Sequence, residues 1–131
     1  MTWSGTSPPG FSDAVDGETF LRRTAYLISY GWCRGAVARD HSGSPIAPSD
    51  PAAISWSLLG ALAAVSAQPD TNEKTLREAL WGISGVIPDT SLDAWNDAPG
   101  RTQEDTLQML GDAENTLSEH PQPNNGSPLG E

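Results

Sequence analysis

Residues 51–69, PAAISWSLLGALAAVSAQP, are the longest uncharged run in the chain, bounded by Asp50 and Asp70. So apolar a stretch must lie in a core or a bilayer. Its length is marginal for a membrane span, Ser55, Ser57 and Ser66 interrupt it, and its flanks are acidic, which argues for a core. Read locally, Asp50 is an N-cap, Pro51 occupies the first helical position and Pro69 is a stop, predicting a central helix over 50–68. Ile54, Leu58, Ala61, Leu62 and Val65 form one stripe, with Trp56 and Leu59 on another side. A helix apolar nearly all round is one surrounded by others. Gly60 and Ala61, Ala63 and Ala64 would let neighbours approach closely.

Three more helices are expected around it. One follows the cap Asp16, turns Phe20, Leu21, Thr24, Ala25 and Ile28 inward and Arg22 and Arg23 outward, and ends at a Gly31 C-cap. Another opens at Asp70 with Glu73 in capping-box spacing, buries Leu76, Leu80 and Ile83, and frays through Gly82, Gly85 and Pro88. The last opens at Thr102 with Asp105 three residues on, and faces Leu107, Leu110, Ala113 and Leu117 inward. Between the first two helices, "VARDHSGSP" offers short alternation and turn chemistry, a β-hairpin or hairpin-like loop. The fold class is therefore mainly α: a compact four-helix domain with that short excursion. Its bounds are a flexible arm over 1–15, a single globular domain over 16–118 and a disordered tail over 119–131, the ends being rich in Ser, Pro, Gly and Asn. Trp3 in the arm is a docking residue or folds back on its own domain.

Charge removes whole classes of function. Seventeen acidic residues against seven basic ones, a net charge of -10, oppose direct nucleic-acid binding, which needs Lys and Arg against phosphates. One cysteine, Cys33, and two histidines far apart, His41 and His120, provide neither a disulfide nor a zinc site. No metal and no cofactor are expected. The start lacks a charged n-region with an apolar run, so the expected compartment is the cytoplasm, without membrane association.

"WNDAPGRTQEDTLQML", residues 95–110, packs a tryptophan, an Asn-Asp pair, a Pro-Gly turn and an arginine ahead of a helix. Residues 90–95 read as one helical turn burying Leu92 and Trp95. Pro99 and Gly100 then reverse the chain, and Asn96 or Asp97 caps the turn. Arg101 alone has no structural explanation in the sequence.

The segments "YGWCRGAVARD", "SDPAAISWSLLGAL" and "LDAWNDAPGRTQEDTLQML" resemble an uncharacterised family of small domains from actinobacteria and their phages. The resemblance spans about residues 18–117. It implies an architecture but no activity. Members often carry cysteine after the helix tryptophan, where this chain has Ser57, so any chemistry of that cysteine is lost here.

Candidate site residues are weighed against plainer roles. Asp40, His41 and Ser42 are consecutive, and a catalytic triad needs groups converging from separate elements; turn chemistry is the better reading. Cys33, beside Arg34, is a reactive-thiol candidate, although free cysteines are more often small buried hydrophobes. Trp32, Arg39, Asp40, Trp95, Asn96, Asp97 and Arg101 form the candidate binding rim. Within it, Arg39–Asp97 or Asp40–Arg101 pairs would pin the two loops together. Of the five tryptophans, Trp56 and Trp81 are expected in the core.

By elimination, the expected function is a non-catalytic accessory or interaction protein, an inhibitor or modulator among them. It would bind a protein partner with a basic or apolar surface through its acidic last helix and the rim. The alternatives are a small enzyme with a pocket between the 32–45 hairpin and the 95–101 loop, and a structural subunit of an oligomer.

Overall fold

Asp16 opens the first helix as its position predicts. Its backbone is extended and its carboxylate accepts a 2.8 Å hydrogen bond from Thr19 N, satisfying one of the amides a helix start leaves unpaired. The computed structural model describes residues 14–88 and 90–119. The arm up to Asp13, with Trp3, and the tail from His120 lie outside the described residues. From Asp16, α1 (Gly17–Tyr30) buries Phe20, Leu21, Thr24 and Ile28. Gly31 follows, but not as a left-handed cap: its φ is -170°. Glycine is needed there because a Cβ would stand 2.2 Å from Ile54 O.

The helix expected at the centre is shorter than the sequence predicts, and this is the main correction. Asp50 does initiate a turn, its carboxylate accepting from Ala52 N and its carbonyl from Ala53 N. The turn does not propagate. Ile54 N donates to Arg39 O, Trp56 N to Gly31 O and Ser57 N to Val37 O, so tertiary partners capture the backbone before a helix forms. The result is a two-stranded antiparallel sheet in which β1 (Ala38–Arg39) pairs with β2 (Ser55–Trp56), Ala38 opposite Trp56. The cap is Ser57, whose Oγ accepts from Gly60 N, and α2 (Leu58–Ser66) buries Leu58, Ala61, Leu62 and Val65. Ile54, expected on that stripe, is 42% exposed.

The hairpin-like excursion is present over 39–45. Asp40 Oδ1 accepts from Ser42 N, Ser42 Oγ and Ser44 N. Gly43 adopts a φ of 88° and Arg39 bridges to Pro45. "DHSG" is turn chemistry in full, and it occupies one oxygen of the Asp40 carboxylate.

Asn72, not Asp70, caps α3 (Glu73–Ser84), accepting from Thr75 N. Asp70 is instead clamped by both terminal nitrogens of Arg23 at 2.8 Å, a bidentate geometry stronger than a cap bond. The buried face of α3 is also rotated from expectation. Thr75, Ala79, Gly82 and Ile83 are inside, while Leu80 and Trp81 are 36% and 39% exposed. A Cβ on Gly82 would lie 2.8 Å from Ala113 O, so the two backbones approach too closely for large side chains, which are displaced to the flanks. The turn expected around residues 90–95 is α4 (Leu92–Asn96), which makes five helices among the described residues rather than four. Thr102 and Asp105 form the expected reciprocal box, Asp105 N donating to Thr102 Oγ1 and Thr102 N to Asp105 Oδ2. It opens α5 (Gln103–Glu119), which buries Met109, Leu110, Ala113 and Leu117, with Leu107 only half-buried.

Around α1 pack α5, α3 and α2, so α1, and not the 50–68 helix that the sequence predicts, is the central helix. No helix among the described residues is long and apolar enough to cross a membrane.

Two carboxylates tie this packing to pH. Hydrogen bonds from the Thr19 amide and hydroxyl hold Asp16 below the ordinary carboxylate value, and the Arg23 fork does the same for Asp70. A carboxylate with a depressed folded pKa stabilises the fold above its unfolded pKa, about 3.9. That stability is lost as pH falls through the folded value. The thermal midpoint should hold steady from pH 7 to about 5 and fall below about 4. Asp16→Ala should cost about 1 kcal/mol at neutral pH and make the acid decline shallower. A decline as steep as that of the unsubstituted chain would remove Asp16 from the explanation.

Candidate functional site

Trp32 from the loop after α1 and Trp95, Asn96, Asp97 and Arg101 from α4 and its following turn are brought together at the start of α2; Arg39 on β1 reaches that loop through Arg34 O, while Asp40 stays bonded within its own turn. Asn96 is the hub. It is fully buried. Its Oδ1 accepts from Trp32 Nε1 at 2.8 Å and from Leu58 N at 3.0 Å; its Nδ2 donates to Cys33 O at 3.2 Å and Asp97 Oδ1 at 2.9 Å. Leu58 N is the first amide of α2, so that helix is capped twice, by Ser57 from its own chain neighbourhood and by Asn96 from another element. Sequence spacing pointed to Asn96 as a local turn cap; the long-range role carries no local signature.

Arg101 now has its explanation. Its guanidinium lies 3.8 Å from the centroid of the Trp95 ring and its Nε donates to Trp95 O at 2.8 Å. It covers one face of a tryptophan that is 8% exposed and ties the carbonyl end of α4, where a cation is favoured. Gly100, at φ 80°, makes the reversal that carries Arg101 there.

The two loops do pack together, but neither expected ion pair is found among the described residues. Arg39 donates to Gly43 O and Arg34 O. Asp97 Oδ1 accepts from Gly35 N as well as from Asn96. Arg34, which the sequence did not single out, makes the cross-loop clamp by donating to Asp97 O and Ala98 O at 2.7 and 2.8 Å. Carbonyl oxygens do the work expected of carboxylates. No sequence pattern announces a side chain bound to a backbone 63 residues away.

Cys33 is 8% exposed, with Sγ 3.5 Å from Ala36 O. Burial pushes its thiol up, against smaller opposing effects of Ser55 and Arg39, which disfavours the thiolate that nucleophilic chemistry uses. Native-state alkylation by iodoacetamide at neutral pH should therefore be slow, and denaturant should accelerate it at least about tenfold. Equal rates in the two states would make Cys33 an accessible, reactive thiol.

Between the hairpin and the 95–101 turn lies a recess of about 180 Å³, lined by Gly35, Ala36, Val37, Ser57, Asp93 and Asp97. Ligand pockets ordinarily span about 300–1,000 Å³. Ser57 at its floor is 3% exposed, and its oxygen accepts from Gly60 N. Among the described residues no group of three His, Cys, Asp or Glu side chains could hold a metal ion.

Other surfaces are more open. Tyr26 and Tyr30, one helical turn apart on α1, are 70% and 69% exposed. The Tyr30 ring stands 6.2 Å from that of Trp56. Ile54, whose carbonyl lies against Gly31 at the end of α1, is exposed beside β2. Alongside, α5 carries Glu104, Asp105, Asp112, Glu114 and Glu119 with no basic side chain, and Glu114 pairs with Arg22 of α1.

The chain belongs to a family of unknown function (DUF6197), whose model matches residues 14–116. No curated protein and no solved structure matches the chain.

Proposed function

We propose that the protein is a non-catalytic interaction module, working in the cytoplasm, that binds a protein partner through the outer face of α1 and the neighbouring edge of β2. One observation carries this reading: Tyr26, Tyr30 and Ile54 stand 70%, 69% and 42% exposed while the polar rim is bonded internally. Tyrosine offers large contact area at low entropic cost and dominates binding hot spots. The carboxylates of α5 and the net charge of -10 favour a partner with an apolar centre and a basic border. In this reading Trp32, Asn96, Trp95 and Arg101 hold the scaffold, and Arg39, Asp40 and Asp97 touch a partner only at its periphery. The family character implied by the sequence resemblance, actinobacterial and phage, makes an inhibitor or modulator of a host protein a special case.

The test is a tagged pull-down from the native cell at low and high salt, with the chain as it stands and as Tyr30→Ala. A stoichiometric partner, weakened by salt and by Tyr30→Ala, is expected. Empty beads at both salt concentrations, or a partner held equally by Tyr30→Ala, would count against it.

A further inference from the structure

From Thr19 to Tyr30, α1 carries Arg22 and Arg23 and no acidic side chain, on a chain whose net charge is -10. Its outer side is charge-balanced, because Arg22 pairs with Glu114 and Arg23 with Asp70. Tyr26 and Tyr30 on that side are 70% and 69% exposed. Leu27, Val65 and Pro69 form an apolar hollow beside Tyr26. Arg22, Tyr26 and Tyr30 follow one another at intervals of four residues and share one stripe. Arg22 and Tyr30 therefore lie about 6 Å along the helix axis on either side of Tyr26.

Such a stripe is complementary to itself. Turned end for end about Tyr26, it brings Arg22 of one copy against Tyr30 of the other, and the reciprocal contact forms at the same time, as a two-fold interface requires. A guanidinium held at its edge by a carboxylate keeps its flat face free for an aromatic ring, so these contacts leave the Arg22–Glu114 pair in place. We propose that the outer side of α1 is the docking surface for a second copy of this chain, in an antiparallel two-fold dimer centred on Tyr26. Charge selects the occupant and the place. Two copies meeting through α5 would oppose carboxylates with no basic side chain between them, whereas on α1 each cation is neutralised within its own copy and the centre is tyrosine. Area sets the strength. A buried aromatic side chain contributes about 150–250 Å², so two tyrosines supply roughly half of the about 800 Å² that each partner buries in a standard interface. The dimer is therefore weak, with a Kd of about 10–100 µM. Pairing covers Tyr26 and Tyr30, so it withholds that face from any other partner until the copies separate. This consequence rests on the function proposed above; the dimer itself does not, and is measured with the purified chain alone.

The experiment is sedimentation velocity of the full chain over about 5–500 µM, a range that spans the expected Kd, at low and high salt. The average mass should rise from monomer towards dimer. High salt should strengthen the dimer about threefold or more, because screening relieves the repulsion between two chains of net charge -10. A basic partner would be weakened by the same salt, so the two associations respond with opposite sign. Tyr26→Glu sets two carboxylates face to face on the symmetry axis and should weaken the dimer at least about tenfold. The thermal midpoint should change little, since Tyr26 is 70% exposed. Tyr26→Cys tests the same geometry should the glutamate variant fail to fold: position 26 faces its own copy, so air oxidation should link most chains in pairs. A chain monomeric at every concentration, a dimer indifferent to Tyr26→Glu, or Tyr26→Cys that stays unlinked would overturn the proposal. A monomer that still retains a partner in the pull-down would overturn the dimer alone. A dimer broken by Tyr26→Glu, from a chain that retains no partner at either salt concentration, would support the dimer and overturn the partner reading alone.

Discussion

Gly60→Ala should be the most damaging single-methyl change in the protein. A Cβ at that position would stand 1.7 Å from Val37 O and 2.6 Å from Val37 C. Both are backbone atoms, so no rotamer change relieves the clash. Val37 O is also the acceptor for Ser57 N, the residue that caps α2, so moving the strand away breaks the bond that seats the helix. Overpacking alone costs about 1–3 kcal/mol and a lost buried hydrogen bond about 1 more, giving a loss of about 3 kcal/mol or more. Against a total stability of about 5–15 kcal/mol, that is a large drop in denaturant midpoint. Gly111→Ala is the matched control. Gly111 lies within α5 with no neighbour within 4 Å of a built Cβ, so alanine there should stabilise by about 0.5–1 kcal/mol through helix propensity. Equal effects at the two glycines would mean that α2 does not pack against the Val37 backbone as described.

Asn96→Ala should rival it. Truncation strips the partner from Trp32 Nε1, Leu58 N and Cys33 O at once, and each buried group left unsatisfied costs about 1–3 kcal/mol. A loss above about 3 kcal/mol is expected, measured by chemical denaturation. Asn96→Asp separates hydrogen bonding from volume. The aspartate keeps both acceptor bonds but replaces the donor amide with a second oxygen facing Cys33 O and Asp97. Burial and like charge then raise its folded pKa above the unfolded value of about 3.9. Its penalty should be greatest at neutral pH and shrink as pH falls through the folded pKa. A penalty independent of pH would mean that position 96 is more solvated than its complete burial implies.

The capping residues show what local sequence can and cannot carry. Asp16 and the Thr102–Asp105 box act within four residues of themselves, and both were legible, as was the inward face of α1. The start of the helix expected at the centre was misread because Asp50–Pro51 is a valid local start signal that loses to Arg39, Gly31 and Val37 as backbone partners, all distant in sequence. The same holds for Asp70, a plausible cap captured by Arg23. On α3, hydrophobicity predicted Leu80 inside, but the spacing between α3 and α5 is set by Gly82 against Ala113, a pairwise fact that neither helix states alone. At the rim, the residue types and the meeting of the two loops were readable. The bonds were not, because Arg34, Arg39 and Arg101 all bind backbone carbonyls, which every residue possesses and no motif marks.

The central claim is a division of labour: the Trp/Asn/Arg rim holds the fold and the tyrosine face meets the partner. It is tested most directly by taking Arg101→Ala and Tyr30→Ala through the same two measurements, thermal midpoint and partner retention at equal folded concentration. Arg101→Ala should lower the midpoint by several degrees, from the lost cation–π contact and helix-end bond, and keep the partner. Tyr30→Ala should shift the midpoint little and release the partner. The reverse outcome, partner lost on Arg101→Ala with the midpoint intact, would make the rim the site and contradict the division.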